Sequence, residues 1–508
     1  VSELNKDVLA TLGELADEPI ESTGPTGDFV YVDISSIDRE TKKISDPKSL
    51  TLSQAPSRAK QVLKTGDVLV SMTRPNLNAV ALVPEQLDGA IGSTGFHVLR
   101  SRWLSPGFLL ALVQTQNFID AMSSVVQGAL YPAVRPRDIA AYAFSFETPV
   151  QQTRIVAKLE ELLSDLDAGV AELKAAQKKF GQYRQSLLKA AVEGALTADW
   201  RAQHPPTETG AQLLQRILTE RRTRWETKQL ARFKEQGKTP PKDWQKKYPD
   251  PVQPDTTDLP GLPEGWVWVQ ICQTGDVQLG RQRAPQFHTG SNMVPYLRVA
   301  NVFEDRIDIS DVMEMHFSSD EEENFRLLAQ DVLLNEGQSL ELIGRPAIYR
   351  GELPRACFTN TLVRYRADVG VLPEFALALF LHYMHSGRFR KIATITTNIA
   401  HLGVGRFAQV EFPLPSTEEQ AVIVDLLKEQ MDNLERQKHA ISVALKQSTA
   451  QRQNILRAAF SGQLVPQDPN DEPASVLLER IRAERAAQAA MHKSRVAANG
   501  GRKTRHEN

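Results

Sequence analysis

The chain has 508 residues, 41% of them hydrophobic, and a formal net charge of −2. That length allows two or three domains with ordinary cores, and two cysteines, Cys272 and Cys357, are too few for a disulfide framework. No apolar run approaches the ~20 residues that span a bilayer, and the first residues are mixed polar and charged rather than a secretory leader, so a cytoplasmic chain is expected.

Residues 1–148 read as a mixed α/β head. Tyr31 to Ile37 and Asp67 to Val70 have the patterning of short strands, and Pro106 to Ser123 that of a helix. This head carries 13 Lys and Arg against 17 Asp and Glu.

A long helix is expected over 149–196. Leu159, Leu166, Leu173, Phe180 and Leu187 fall seven apart, with Ile155, Leu162, Gly169, Ala176, Tyr183 and Ala190 interleaved, which is a coiled-coil seam. Pro149 opens it and Gly194 closes it. At 1.5 Å per residue such a helix is roughly 65–70 Å long.

Residues 197–263 are charged and rich in proline toward their end, and read as a linker with a short helix. Residues 264–415 read as a second mixed α/β head, with 14 basic and 18 acidic residues. Its cations are 13 Arg and one Lys, a bias that suits bidentate recognition of guanine or phosphate, or that reflects genomic composition. Tyr296 to Val302 echoes Tyr31 to Ile37, Asp331 to Leu334 echoes Asp67 to Val70, and Pro373 to Gly387 reads as a helix. With both heads acidic, either a basic face is local or a partner supplies much of any grip on DNA.

The second long helix, 416–462, repeats the first. Gln152, Ile155, Val156 and Leu159 recur as Gln420, Ile423, Val424 and Leu427, and the run from Arg184 to Ala191 recurs as Arg452 to Ala459, always 268 residues later. Its seam is Leu427, Leu434, Ile441 and Ile455, made more polar by Gln430, Gln437 and Ser448. Leu213 to Ile217 and Leu477 to Ile481 form a shorter echo, and the remainder, 463–508, reads as helical and then a flexible basic tail. The expected architecture is α/β: two globular mixed α/β domains separated by two long antiparallel coiled-coil helices, related by a pseudo-twofold internal repeat. A twofold pair of heads suits a partner that is itself twofold, and duplex DNA is the obvious one.

Catalytic signatures are absent. Gly237-Lys238-Thr239 lacks the earlier glycine of a phosphate-binding loop, since Arg232 stands there, and no strand precedes it. His382 and His385 sit in an apolar helical stretch without metal-ligand spacing, and the Glu-x-Lys triplets at 172–174 and 226–228 have no upstream Pro-Asp. No catalytic residue and no metal site are expected in this chain.

The chain closely resembles the specificity subunit of type I restriction–modification enzymes. The carriers are Leu262-Pro263-Glu264-Gly265-Trp266, the Tyr296 to Asn301 pattern, Phe412 to Gln420 leading into the second long helix, and Arg452 to Leu464 closing it, with their earlier twins. The first head departs from the pattern, opening with Asn5-Lys6-Asp7-Val8 instead of Pro-Glu-Gly-Trp. The resemblance implies two variable target-recognition domains, each reading one half of a split double-stranded DNA target, with the helices setting the gap. It implies docking of two modification subunits, which would bring S-adenosylmethionine and adenine-N6 methylation, and of two motor–nuclease subunits, which would bring ATP and Mg. No cofactor would reside in this chain.

Base reading calls for Arg on guanine and Asn or Gln on adenine. Candidates in the first head are Arg39, Lys42, Lys43, Arg58, Arg74, Tyr131, Arg135 and Arg137. In the second they are Arg281, Arg283, Asn301, Arg345, Arg388, Arg390, Asn398, His401 and Arg406. For each, a surface or phosphate-only role is an equal alternative, and Arg298, aligned with Asp33, reads equally as a buried pair. The competing reading of the whole chain is a coiled-coil scaffold holding two protein-binding heads.

Overall fold

The computed structural model describes residues 8–16, 18–126, 132–249, 251–396 and 399–503. The chain divides into two compact units, Val1–Lys174 with Ile441–Asn508, and Ala175–Ala440.

In the first unit, Val68–Ser71 lies between Phe96–Leu99 and Val80–Leu82 in an antiparallel sheet. A second sheet runs Lys48–Leu50, Phe29–Val32, Ile91–Ser93, Ala59–Val62, its central pair parallel. Leu9–Thr11 pairs antiparallel with Ala143–Ser145. The helical stretch from Pro106 is two helices, Pro106–Val113 and Gln116–Val125, because the Thr115 hydroxyl accepts from Phe118 N and starts a new helix there.

The second unit repeats this topology. Asp331–Asn335 lies between Leu362–Ala367 and Pro346–Tyr349, and Met293–Leu297 between Met313–His316 and, in parallel, Cys357–Phe358. Val267–Gln270 pairs with Glu411–Leu414, as the first strand pairs with the last in the first unit. Pro373–Ser386 is one helix, ended by Gly387 at φ +79°. The second head adds an edge strand, Gly275–Leu279, and a small three-stranded ribbon.

The long helices are Pro149–Val192 and Thr417–Phe460, 44 residues each. They start alike: Gln151 N donates to the Thr148 hydroxyl and Glu419 N to the Ser416 hydroxyl, two caps 268 positions apart. They end alike, with Gly194 and Gly462 at φ +76° and +73°, and with Leu196 N and Leu464 N each donating 3.0 Å back to Ala190 O and Ala458 O. The helices run antiparallel. In the first unit the Arg452 guanidinium lies on Asp167, and Gln151 Nε2 donates to Val465 O and Pro466 O. In the second, Tyr183 meets Gln430, and Thr197 and Arg201 meet Glu419.

The seam is unevenly buried. Leu159, Leu187 and Leu434 are buried, whereas Leu166, Leu173, Phe180, Leu427, Ile441 and Ile455 are half-buried. A pair of helices leaves its flanks in water, so full burial comes only where a head adds a third layer. Near its end the second helix buries Leu456 and Ala459 in the first head's core, with Ile455 half-buried against it and Phe460 packed 5.0 Å from Phe108. Burying a leucine contributes about 1.5–3 kcal/mol, so the helix ends are where these helices gain most.

Residues 197–263 contain more structure than a linker with a short helix. Gly210–Glu235 is a 26-residue helix, anchored on the second core by Leu213, Leu214 and Ile217, and Thr209 caps it. Leu477, Leu478 and Ile481 do the equivalent in the first unit, at the start of the helix Ala474–Lys503. No helix among the described residues is long and apolar enough to cross a membrane.

Candidate nucleic-acid interface

Each head is fixed to its long helix by a buried glutamine. Gln152 Oε1 accepts from Ser105 N at 2.8 Å, and its amide donates to Trp103 O and Glu147 O. Gln420 Oε1 accepts from Leu372 N at 2.8 Å, and its amide donates to Gly370 O and Pro415 O. Both are fully buried with their polar atoms satisfied, which orients each head on its helix. An ion pair on a buried carboxylate is repeated too. Asp67 accepts from Arg100 through two bonds of 2.7 Å, and Asp331 from Arg366 at 2.6 and 2.7 Å.

On this common frame the first head gathers cations along one edge. The hairpin Ile37–Asp38 and Lys43–Ile44 turns at Lys42, whose φ is +56°. Lys42 Nζ donates to Asn78 O and Asn78 Oδ1, joining the hairpin to the Arg74–Asn78 turn. Arg74 N donates to Pro132 O and Val134 N to Met72 O, which adds the segment carrying Arg135. Arg39, Lys43, Arg74 and Arg135 are exposed on these three connected pieces. Burial first, then Arg452 and Arg39, push the Lys42 ammonium down to about 8. Arg137 is exposed one helical step further, 3.7 Å from Asp138, and Arg58 is exposed on a separate connection. Tyr131 lies outside the described residues, as do Asn5, Lys6 and Asp7.

The second head uses several of its expected readers internally. Arg281 is 6% exposed, stacked 3.8 Å from the Phe287 ring centre and paired with Glu321 at 2.8 Å. Asn301 is 2% exposed; its Oδ1 accepts from Arg298 N and its amide donates to Asp308 O and Asp311 O. Arg388 grips Glu411 with two bonds of 2.5 and 2.7 Å. Arg281 and Asn301 are buried and paired within the head, which leaves them no free edge to offer a base, while Arg388 is half-buried with its guanidinium bonded to Glu411. Arg345 is half-buried over the Phe303 ring, and desolvation lowers its pKa.

What the second head exposes is a ribbon: Gly337–Gln338, Ile399–His401 and Thr394–Thr396 pair antiparallel. Ile395 is 62% exposed and Ile399 48%. Arg406 staples its base by donating to Ile392 O, His401 O and Thr394 Oγ1, and His401 Nδ1 lies 3.1 Å from Glu336. Both act as positioning residues there. Arg390 is exposed nearby on the helix before the ribbon, and Arg283 is exposed over the Tyr296 ring at 5.5 Å. Asn398 lies outside the described residues. Gln338, Thr394 and Thr396 were missed as candidates; the β-branched run Thr394-Ile395-Thr396 was the available signal. No cluster among the described residues could hold a metal ion.

The chain is 22% identical over 455 residues to the type I restriction enzyme StySPI specificity subunit of Salmonella potsdam, covering 86% of this chain and 84% of that one. A solved chain from work on complex assembly and conformational transition of the type I R-M system superposes with a TM-score of 0.64 at 24% identity, over 90% of this chain and 97% of its own. The HsdS subunit from Thermoanaerobacter tengcongensis gives 0.54 at 25% identity, over 90% and 96%. No protein-family model matches the chain. The resemblance read from the sequence therefore extends to the fold and most of the length.

Proposed function

From this likeness to type I restriction enzyme specificity subunits, we propose that the chain is the DNA sequence-recognition subunit of a type I restriction–modification complex. Each head reads one half of a bipartite duplex target, and the paired long helices set the gap between halves. The observation that carries this reading is one topology built twice on repeated anchors, with different side chains at the exposed edges. Two half-targets of unrelated sequence need heads of that kind. In the first head Arg39, Lys42, Lys43, Arg74 and Arg135 face DNA; in the second, Arg283, Arg390 and the ribbon with Gln338 do so.

The long helices, alike in both copies, give identical partners identical docking surfaces, so two modification subunits bind, one per repeat. They carry S-adenosylmethionine and methylate adenine N6, while two motor–nuclease subunits carry ATP and Mg; this chain is non-catalytic. The test is co-expression with its modification subunit, followed by genome-wide mapping of N6-methyladenine. A motif of two short sequences with a fixed gap is expected. Methylation without sequence preference would favour the protein-scaffold reading.

A further inference from the structure

The heads are each net acidic, yet a DNA-reading protein gains most of its grip by neutralising phosphates. The missing charge is concentrated in one place. Residues 210–249 hold eleven Lys and Arg against four Asp and Glu. Beyond Ile217 no residue of this segment is buried; Leu218 still packs against the core and Arg221 and Arg224 pair with Asp368, so the part of the helix Gly210–Glu235 that projects runs from Trp225 to Glu235, about 11 residues. At 1.5 Å per residue that is about 17 Å of free helix.

The projection is held by an aromatic clasp. Residues 238–249 fold back along the helix, stacking Trp244 on Trp225 with centroids 5.6 Å apart and setting Tyr248 against Trp225 at 5.4 Å. Phe233 meets Trp244 edge-on at 6.1 Å, and Arg222 lies over Tyr248. Arg221 and Arg224 pair with Asp368 at the root. From Trp225 onward, the hydrogen bonds, ion pairs and ring contacts among the described residues stay within the segment. Such an arm adds nothing to the head's core, while ordering it costs chain entropy.

Its outward cations differ in kind from those of the head. Lys228, Arg232, Lys234, Lys238, Lys242 and Lys247 are exposed and, among the described residues, carry no ion pair. Five of these six are lysine, whereas the head it springs from has 13 Arg and a single Lys. Arginine's rigid fork suits base edges; lysine's mobile point charge suits a phosphate backbone without regard to sequence. Lysine is also depleted where proteins bury surface against one another, and the arm's aromatic rings are already spent on one another.

We propose that this arm, Trp225 to Pro249, clamps the phosphate backbone of duplex DNA without reading sequence, supplying the charge that the heads lack. The proposal rests on the DNA-recognition reading above. The test uses the full chain assembled with its modification subunit, comparing the unaltered protein with one in which Lys228, Arg232, Lys234, Lys238, Lys242 and Lys247 are all changed to Gln. A charge-conserving control changes the five lysines to Arg. The readout is affinity for target and scrambled duplexes across a salt series. Each lost phosphate contact makes the slope of log affinity against log salt about 0.9 shallower. The Gln protein is expected to lose at least about two units of slope and to bind both duplexes at least about tenfold more weakly at low salt. The methylated motif should stay unchanged and the Arg control should bind normally. Unchanged affinity and slope would overturn the proposal. So would failure of the Gln protein to assemble with the modification subunit, which would make the arm a protein-docking element. If even the unaltered complex does not prefer any duplex, it is the recognition reading that fails.

Discussion

The first head sets Asp33 against Lys48 at 2.8 Å beside its parallel strand pair; the second sets Arg298 against Asp311 at 2.5 Å in the same place, with the charges reversed. The following hairpin turns on Lys42 in one head and on Asp305 in the other, both with positive φ. Asp67–Arg100 and Asp331–Arg366, by contrast, keep their polarity, and so do the glutamine anchors. The difference follows from burial. Asp67 and Asp331 are each 1% exposed under partly solvated arginines, and a hydrogen bond to a buried charged group contributes about 1.5–3 kcal/mol. The pairs at positions 33 and 298 are partly solvated, where an ion pair contributes about 0–1 kcal/mol, so their charge is free to change. Internal duplication thus leaves a fixed frame and two independently variable edges.

The sharpest way to break this comparison is to attack the frame in both heads. Asp67→Ala and Asp331→Ala should each destabilise their own unit by about 1.5–3 kcal/mol, read as an earlier denaturant transition, while Asp33→Ala should change stability by less than about 1 kcal/mol. Equal effects would erase the distinction between frame and edge. Next come the anchors. Gln152→Leu and Gln420→Leu leave the donor or acceptor groups of their loops unpaired and should cost about 1–3 kcal/mol each, measured the same way; a loss at only one site would mean that the two attachments are not equivalent.

Smaller effects test the edges. Arg74→Ala should weaken binding by about 1–3 kcal/mol and relax specificity in one half-target only, checked by duplex affinity with single-base changes in each half. Lys42 should give the smallest change. Its folded pKa, about 8, lies below the ordinary lysine value. The folded chain therefore holds fewer protons than the unfolded one between these pH values, and stability rises as pH passes from about 8 toward the ordinary value. DNA affinity moves the other way, because the neutral amine no longer attracts phosphate. A decline of no more than about tenfold between pH 7 and pH 9, lost in Lys42→Met, is expected.

Much of this organisation was legible in the sequence. The constant offset of 268 located both long helices, and the first starts at Pro149 and ends just before Gly194, the limits that proline and glycine mark in the sequence. The strand echoes at Tyr31 and Tyr296 found a topology that is in fact repeated almost strand for strand. The helix 210–235 was underestimated because the prolines after it dominate the segment's composition, while its projecting half has no buried stripe to give it a period. The candidate site was legible only in residue type. Arg281, Asn301 and Arg388 have the chemistry of base readers, but tertiary packing buries the first two and pairs the half-buried third with Glu411. On the ribbon His401 stands out by residue type, while Thr394 and Thr396 have no charge to mark them.

The central claim is that the two heads read DNA separately on a shared frame. The most direct measurement replaces residues 264–415 with the second head of another specificity subunit and maps N6-methyladenine in cells that also express the modification subunit. Separate reading predicts a motif in which one half and the gap length are retained and the other half is new. A change in both halves would contradict it.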